Sequence, residues 1–455
     1  MKHLIAGLIA GTFVASVATA EAGREFRVNA YTTGDQWRAS VAADGVGRFM
    51  VVWTSYGQSG RAFGLFGQQV DSTGALVGGE VQLNTDAGAN QERQDLDGGT
   101  DGYLVAWEQT DGHGEGIWGR KYDSSGLFSG AAFRVNAYTT GQQENLRLSR
   151  NSDGAYVVVW EQRELRSISG IHLNADGAAL SAEFEVGAGQ QPRVSSSGGG
   201  GFAVVWETQA RLYDGSASPR GSGFDIRSDT SVRVDSSDSA FTLDGNLLVA
   251  FATDPDCPCH VMARAFAPDG TPLGDQYIIS QDTSQLKSHV AMTRDASTGA
   301  IVVVWTESDS TGTSRISGRM LNATALPVAG QFQVNGDPRG LQDFPRIAAS
   351  SETFVVAWDS GEAGSEDVWA RVLRVGKLLR NDDVRTLAPI EPPLADILPL
   401  TSPDDDYRST LIAGEVDPDL GVVEDRTRPL VFYSTDGDDR LQLVKVAGSS
   451  IRVWF

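Results

Sequence analysis

An all-β fold is predicted for this chain: a seven-bladed β-propeller of four-stranded blades with a small C-terminal β extension. Two series of seven carry the prediction. A β-branched run ending in an aromatic recurs at Phe49–Trp53, Tyr103–Trp107, Tyr156–Trp160, Phe202–Trp206, Leu247–Phe251, Ile301–Trp305 and Phe354–Trp358, with steps of 54, 53, 46, 45, 54 and 53 residues between the closing aromatics. A strand with two apolar residues spaced by two recurs in phase with it, as Phe26/Val28, Val81/Leu83, Phe133/Val135, Phe184/Val186, Phe224/Ile226, Tyr277/Ile279 and Phe332/Val334. Such alternation marks a strand with one buried face. Repeats of about 50 residues with four short strands each are propeller blades, whose flat faces are covered only by their neighbours. Ig-like arrays need about 100 residues per domain and fit this period less well.

Each element has a local reason. Residues 1–20 read as a signal peptide, with Lys2 as the charged start, Leu4 to Val17 as the apolar stretch and Ala18-Thr19-Ala20 as the cleavage site. The apolar stretch is too short to span a bilayer, so the mature chain is expected to be secreted or periplasmic, without membrane insertion. The propeller is placed at residues 21–380. Within its units a Gln precedes an aliphatic by five residues, as Gln36/Val41, Gln91/Leu96, Gln143/Leu148, Gln285/Val290 and Gln342/Ile347, with Gln191 in a shortened version. A Gln repeated once per blade suits a structural hydrogen bond, and the repeated Trp residues suit an inter-blade core. Turns such as Asp71-Ser72-Thr73-Gly74 and Asp123-Ser124-Ser125-Gly126 combine a side chain that bonds its own backbone with a residue tolerating positive φ. The alternating strands begin one unit early, at Phe26, and none follows Trp358; the segment Glu25 to Asn29 is therefore expected to close the ring as the outer strand of the last blade. Residues 381–409 read as a Pro/Asp-rich linker and 410–455 as the β extension, with strands at Leu430–Tyr433, Leu441–Val446 and Ile451–Phe455 and a turn at Asp436-Gly437-Asp438.

The block Phe133-Arg134-Val135-Asn136, Thr140-Gly141, Gln143 and Val157-Val158-Val159-Trp160-Glu161 resembles the repeated blocks of large secreted bacterial proteins of the hemolysin-type (RTX-like) and adhesin-like class. The resemblance implies a repetitive secreted β protein. The Gly-Gly-x-Gly-x-Asp nonapeptides that bind calcium in RTX proteins are absent, so neither toxin activity nor their calcium loops follow from it.

A balance of 37 Lys+Arg against 59 Asp+Glu gives a net charge of -22, which repels nucleic acid and anionic lipid. No Gly-x-Ser-x-Gly, His-Glu-x-x-His or phosphate-binding loop is present, no catalytic residue is assigned, and an enzyme is the less favoured reading. The leading expectation is a monomeric binding module for a glycan, protein or surface polymer. The alternative is an extracellular polysaccharide hydrolase or lyase using carboxylates such as Asp111, Glu115 and Glu362 as acid and base across the funnel. Long loops on one rim hold Tyr31, Trp37, Tyr56, Asp111, His113, Glu115 and Tyr138, the expected ligand-binding residues. Cys257-Pro258-Cys259-His260 is read as a disulfide between Cys257 and Cys259 in an oxidising compartment, with copper or zinc ligation as the alternative. Carboxylates at Asp254, Asp256, Asp309, Glu362, Glu366 and Asp367 lie on the same rim and read as solvated surface. Calcium has no specific motif here, and no cofactor is expected.

Overall fold

The computed structural model of the chain describes residues 21–60, 63–84, 91–253, 259–281, 284–328, 330–336, 340–361 and 365–375, with strand segments at 415–417, 422–424, 442–446 and 450–454. The expected signal peptide and linker lie outside these residues.

Seven antiparallel sheets of four strands follow one another along the chain, each a blade. Blade 1 is representative. Its inner strand is Gln36–Ala43, followed by Arg48–Tyr56, Phe63–Asp71 and the outer strand Leu76–Gln82. Blade 7 takes its first three strands from Leu341–Ser350, Thr353–Gly361 and Asp367–Arg374. Its outer strand comes from the other end of the chain: Phe26 pairs with Ala370 and Arg27 with Trp369, and the Val28 amide donates to the Val368 carbonyl at 2.8 Å. Glu21 and Ala22 extend this edge by pairing with Arg374 and Leu373. The ring closes where the offset between the two sequence series places the closure.

The uninterrupted apolar runs are explained by where the core sits. Buried side chains form seven clusters, and each straddles two neighbouring blades. Phe49, Val51 and Trp53 pack toward blade 7, against Val355, Ala357 and Val368. Their alternates Met50 and Val52 pack toward blade 2, against Val105 and Trp107. A strand buried on both faces reads as a continuous apolar stretch, which is why the alternation vanishes there and survives only on the outer strands. The closing aromatics Trp53, Trp160, Phe251, Trp305 and Trp358 are wholly buried. Each contributes on the order of 3 kcal/mol to its interface.

In blades 1 and 7 the repeated Gln is the indole's partner, whereas in blade 2 Trp107 Nε1 donates to Gln109 Oε1 at 3.1 Å. Trp53 Nε1 donates to Gln36 Oε1 at 3.1 Å, and Trp358 Nε1 to Gln342 Oε1 at 2.8 Å. Two members of that series need correction. In blade 6 the residue paired two beyond the tryptophan is Lys287, opposite Glu307, rather than Gln285, and the aliphatic counterpart is Met292, opposite Val303, rather than Val290. There Trp305 Nε1 donates to Glu307 Oε1 at 3.0 Å, and Lys287 Nζ lies 3.6 Å from the same carboxylate. An ion pair has replaced an amide pair, so residue type no longer marks the phase. In blade 4, Gln191 sits in the bulge of the link and Trp206 Nε1 donates to the Ala188 carbonyl instead.

The turns opposite the long loops follow the chemistry expected of them. Asp71 Oδ1 accepts from the amides of Thr73 and Ala75, and Gly74 takes φ 89°. The C-terminal segments pair as a four-stranded sheet in the order Glu415–Asp417, Val422–Glu424, Ser450–Trp454, Gln442–Val446. The last two match expected strands, the first two are too short for alternation to reveal, and the expected strand at Leu430–Tyr433 and its turn lie outside the described residues.

Candidate functional site

Every inner strand starts, and every second strand ends, on one rim, here called the upper rim. The seven expected ligand residues all stand on it. They fall into three groups.

The first is an aromatic cluster on blade 1. The Trp37 and Tyr56 rings each lie 5.6 Å from the ring of Phe63, the first edge-on and the second tilted. Tyr31 comes from the loop that enters blade 1, and its hydroxyl reaches Gly57, the residue after Tyr56. That loop is held by Asn29, whose Nδ2 donates to the Tyr31 carbonyl at 2.8 Å and to Asp367 Oδ1 at 2.7 Å. Asn136 plays the same part in the loop that enters blade 3, its Nδ2 donating to the Tyr138 carbonyl at 2.6 Å and to Gln143 Oε1 at 2.8 Å while its Oδ1 accepts from the Ile117 amide. The repeated Val-Asn is thus a loop clamp. Gly34 lies under the Tyr56 ring with φ 73°, and a Cβ there would stand 3.1 Å from Tyr56 Cδ1. Tyr56 is 49% exposed, and Tyr31, Trp37 and Phe63 are half-buried. Phe63 was missed in the sequence because it opens a third strand rather than standing in a long loop.

The second group is the blade 2 hairpin. Asp111 is ion-paired with Arg134, and its Oδ1 accepts from the His113 amide at 2.9 Å. Against the opposing effect of burial, these donors hold the Asp111 carboxyl below its usual range. Burial pushes Glu115 up, and nearby Glu92 adds to the shift. His113 is exposed. Tyr138, the third group, is exposed at the junction of blades 2 and 3, where the Glu183 carboxylate accepts from its amide at 3.1 Å. Of the other rim carboxylates, Asp309 closes its own turn by accepting from the amides of Thr311 and Thr313, and Asp367 bonds Asn29. Asp254, Asp256, Glu362 and Cys257 lie outside the described residues. Cys259 is half-buried ahead of the strand Val261–Phe266. Among the described residues no three His, Cys, Asp or Glu side chains gather as a metal site.

The centre of the upper rim carries an arrangement that the sequence analysis did not identify. Six inner strands enter the ring through a residue in the left-handed region: Arg38, Arg93, Asn145, Gln191, His289 and Phe344, with φ between 50° and 57°. The kink frees backbone amides, and at three of the junctions the residue after the closing aromatic of the preceding blade accepts from them. Asp359, after Trp358, accepts from Arg38 at 2.6 Å and Ala39 at 3.1 Å; Glu108, after Trp107, accepts from Asn145 at 2.6 Å; Glu161, after Trp160, accepts from Gln191. Burial pushes Glu108 up to about 8 and Asp359 up to about 7. Around them Arg93 lies 3.2 Å from Glu144 and 3.7 Å from Glu108, and Arg38 lies 3.5 Å from Glu92. Across the mouth, His289 Nδ1 is 2.6 Å from Asp343 Oδ1, which also accepts from Thr306 Oγ1 at 2.8 Å. The signal for these residues was a Trp-Glu or Trp-Asp pair repeated in the runs; its meaning depends on a partner in the next blade.

No protein-family model matches the chain, and no curated protein matches it. Solved structures share its architecture at low identity. A protein of unknown function from Dyadobacter fermentans aligns over 79% of this chain and 100% of its own, at 10% identity and TM-score 0.51. The β-propeller domain of the Trilobed protease from Pyrococcus furiosus aligns over 76% of this chain and 97% of its own, at 11% identity and TM-score 0.43. An endo-arabinase from Bacteroides thetaiotaomicron aligns over 49% of this chain and 90% of its own, at 13% identity and TM-score 0.32.

Proposed function

We propose that the chain is a secreted or periplasmic binding module that captures a glycan on the upper rim of blade 1. The observation that carries this reading is the cluster of Tyr31, Trp37, Tyr56 and Phe63, in which loop and strand residues present aromatic faces at the surface of a rigid ring. Exposed aromatic platforms on a preformed scaffold stack on sugar rings with little ordering cost. The likeness of the Val-Asn and Val-Val-Trp blocks to secreted hemolysin-type and adhesin-like proteins supports an extracellular address and a surface-binding role.

Polysaccharide hydrolysis is the weaker reading. Of the carboxylates that this reading would use as acid and base, Asp111, Glu115 and Glu362, the first two stand on one hairpin with Asp111 ion-paired to Arg134, and Glu362 lies outside the described residues. A glycan array on the mature protein, followed by titration of the best ligand, tests the binding reading. Trp37→Ala and Tyr56→Ala are each expected to weaken binding at least about tenfold, a loss of 1.4 kcal/mol or more, while Tyr138→Ala changes it little. Turnover of any polysaccharide, abolished by Glu115→Gln, would overturn it.

A further inference from the structure

We propose that the central channel holds a second site, a receptor for a phosphate-type oxyanion built from Arg147, Arg193 and Arg346. On each inner strand the residue paired with the one before the closing aromatic sits at one level of the ring. Going round, these residues are Ser40, Asp95, Arg147, Arg193, Asp238, Ala291 and Arg346. All but Ala291 line a cavity of about 500 Å³ on the ring axis.

The three arginines and two carboxylates at this level form no contact ion pairs with one another, and three positive charges face two negative ones. Both carboxylates are held along the ring: Asp95 accepts from Ser40 Oγ of the preceding strand at 2.6 Å and from the Leu148 amide of the next at 3.0 Å, and Asp238 from the amides of Ser239 on its own strand and Met292 on the next, both at 2.9 Å. The three arginines share a different habit. Each guanidinium donates to the carbonyl of its own preceding residue: Arg147 to Leu146 at 2.6 Å, Arg193 to Pro192 at 3.0 Å and Arg346 to Pro345 at 3.1 Å. Among the described residues no carboxylate lies within ion-pair distance of any of them, and Arg147 Nε is buried with no partner. Burial first, then repulsion from Arg147, push Arg193 well below its usual range and Arg346 down to about 10, against the partial attraction of Asp95 and Asp238.

Three planar donor forks around one cavity, with donors left over, suit an anion that accepts from several sides at once. A tetrahedral dianion meets that requirement, and its charge relieves the repulsion. The cavity reaches Gly45 and Thr100 in the short turns, so it opens on the lower rim, where Arg150 is already committed to Asp101 at 2.7 Å and Arg294 also lines the wall. This site is therefore on the face opposite the aromatic cluster and does not depend on the glycan reading.

The test uses the mature full-length protein in a zwitterionic buffer of low ionic strength at pH 7. Inorganic phosphate, sulfate and sodium chloride at matched ionic strength are titrated against melting temperature and by calorimetry. Phosphate is expected to stabilise saturably at one site per chain while chloride does not, and a like response to sulfate supports recognition of the dianion. Arg193→Gln and Arg346→Gln are each expected to weaken phosphate at least tenfold, yet to melt no lower than the parent in anion-free buffer, because a repelling charge has gone. A shift that follows ionic strength whatever the ion, or variants whose affinity stays within threefold of the parent, overturns the proposal. If one variant does not fold, Arg147→Gln serves in its place, and the parent titration alone already decides the first point.

Discussion

Glu108 shows how much one residue does in this ring. It follows the buried Trp107, its Oε1 accepts from the Asn145 amide of the next blade, and its other oxygen is buried 3.7 Å from Arg93. Folding takes the carboxyl out of water, so it keeps its proton up to about pH 8, whereas an ordinary glutamate releases it near 4.5. Between these values the folded state holds a proton that the unfolded chain has lost, and rising pH therefore weakens folding across that window. Glu108→Gln keeps the acceptor for Asn145 and removes the titration. The variant is expected to match the parent near pH 4 and to exceed it by about 1–3 kcal/mol at pH 9. Denaturant unfolding of both proteins across that range measures it, and a constant difference at every pH would show that Glu108 is not the group responsible. Asp359 differs in bonding two amides, those of Arg38 and Ala39. Asp359→Ala leaves both buried without an acceptor and is expected to cost about 2–4 kcal/mol, seen as a fall in the denaturant midpoint.

At the scale of the strand, the segment Phe26 to Val28 carries the most consequence for its size. Val28 is 1% exposed within the core shared by blades 7 and 1, and Phe26 packs against the same cluster. Deleting residues 21–30 removes these two side chains and opens the outer edge of blade 7. Burial of that apolar area is worth about 3–5 kcal/mol, and the melting temperature is expected to fall by about 5–10 °C; a deletion variant as heat-stable as the parent would remove the closure from the account. This strand was readable in advance because its alternation falls one unit ahead of the first β-branched run, a counting argument that needs no side-chain detail. The same kind of reasoning misplaced Gln285. The bulge between the strand start and the channel position has the same length in blade 6 as in blades 1 and 7, but Lys287 stands there where those blades have a Gln, so residue type pointed two positions early. The arginines were unreadable because the level they share carries Ser, Asp, Arg and Ala in different blades: Arg147, Arg193 and Arg346 become equivalent when each is paired across its own hairpin. The aromatic cluster was partly readable, since Tyr31, Trp37 and Tyr56 share one rim, while Phe63 joined it through packing alone.

Taken as a whole molecule, the ring is held by interfaces rather than by a single central core. Seven apolar clusters, one per blade junction, use residues from Val28 to Val375. Stability then resides in a closed cycle of equivalent contacts, in which losing one junction weakens its two blades directly and the rest only by opening the ring. The two faces differ because their connections differ. Short Asp-Gly turns end in self-bonded aspartates and leave the lower rim to the channel mouth, whereas the longer upper loops are free to carry rings such as Tyr56. A chain ending at Val375 keeps every described blade contact, the closing strand included. It is expected to melt within about 2 °C of the parent in a single transition, since the described core clusters and the closing strand are all retained. Scanning calorimetry of the two proteins checks this: a melting temperature lower by 10 °C or more, or a second transition lost along with residues 376–455, would mean that the C-terminal segment covers part of the ring and belongs to its cooperative unit.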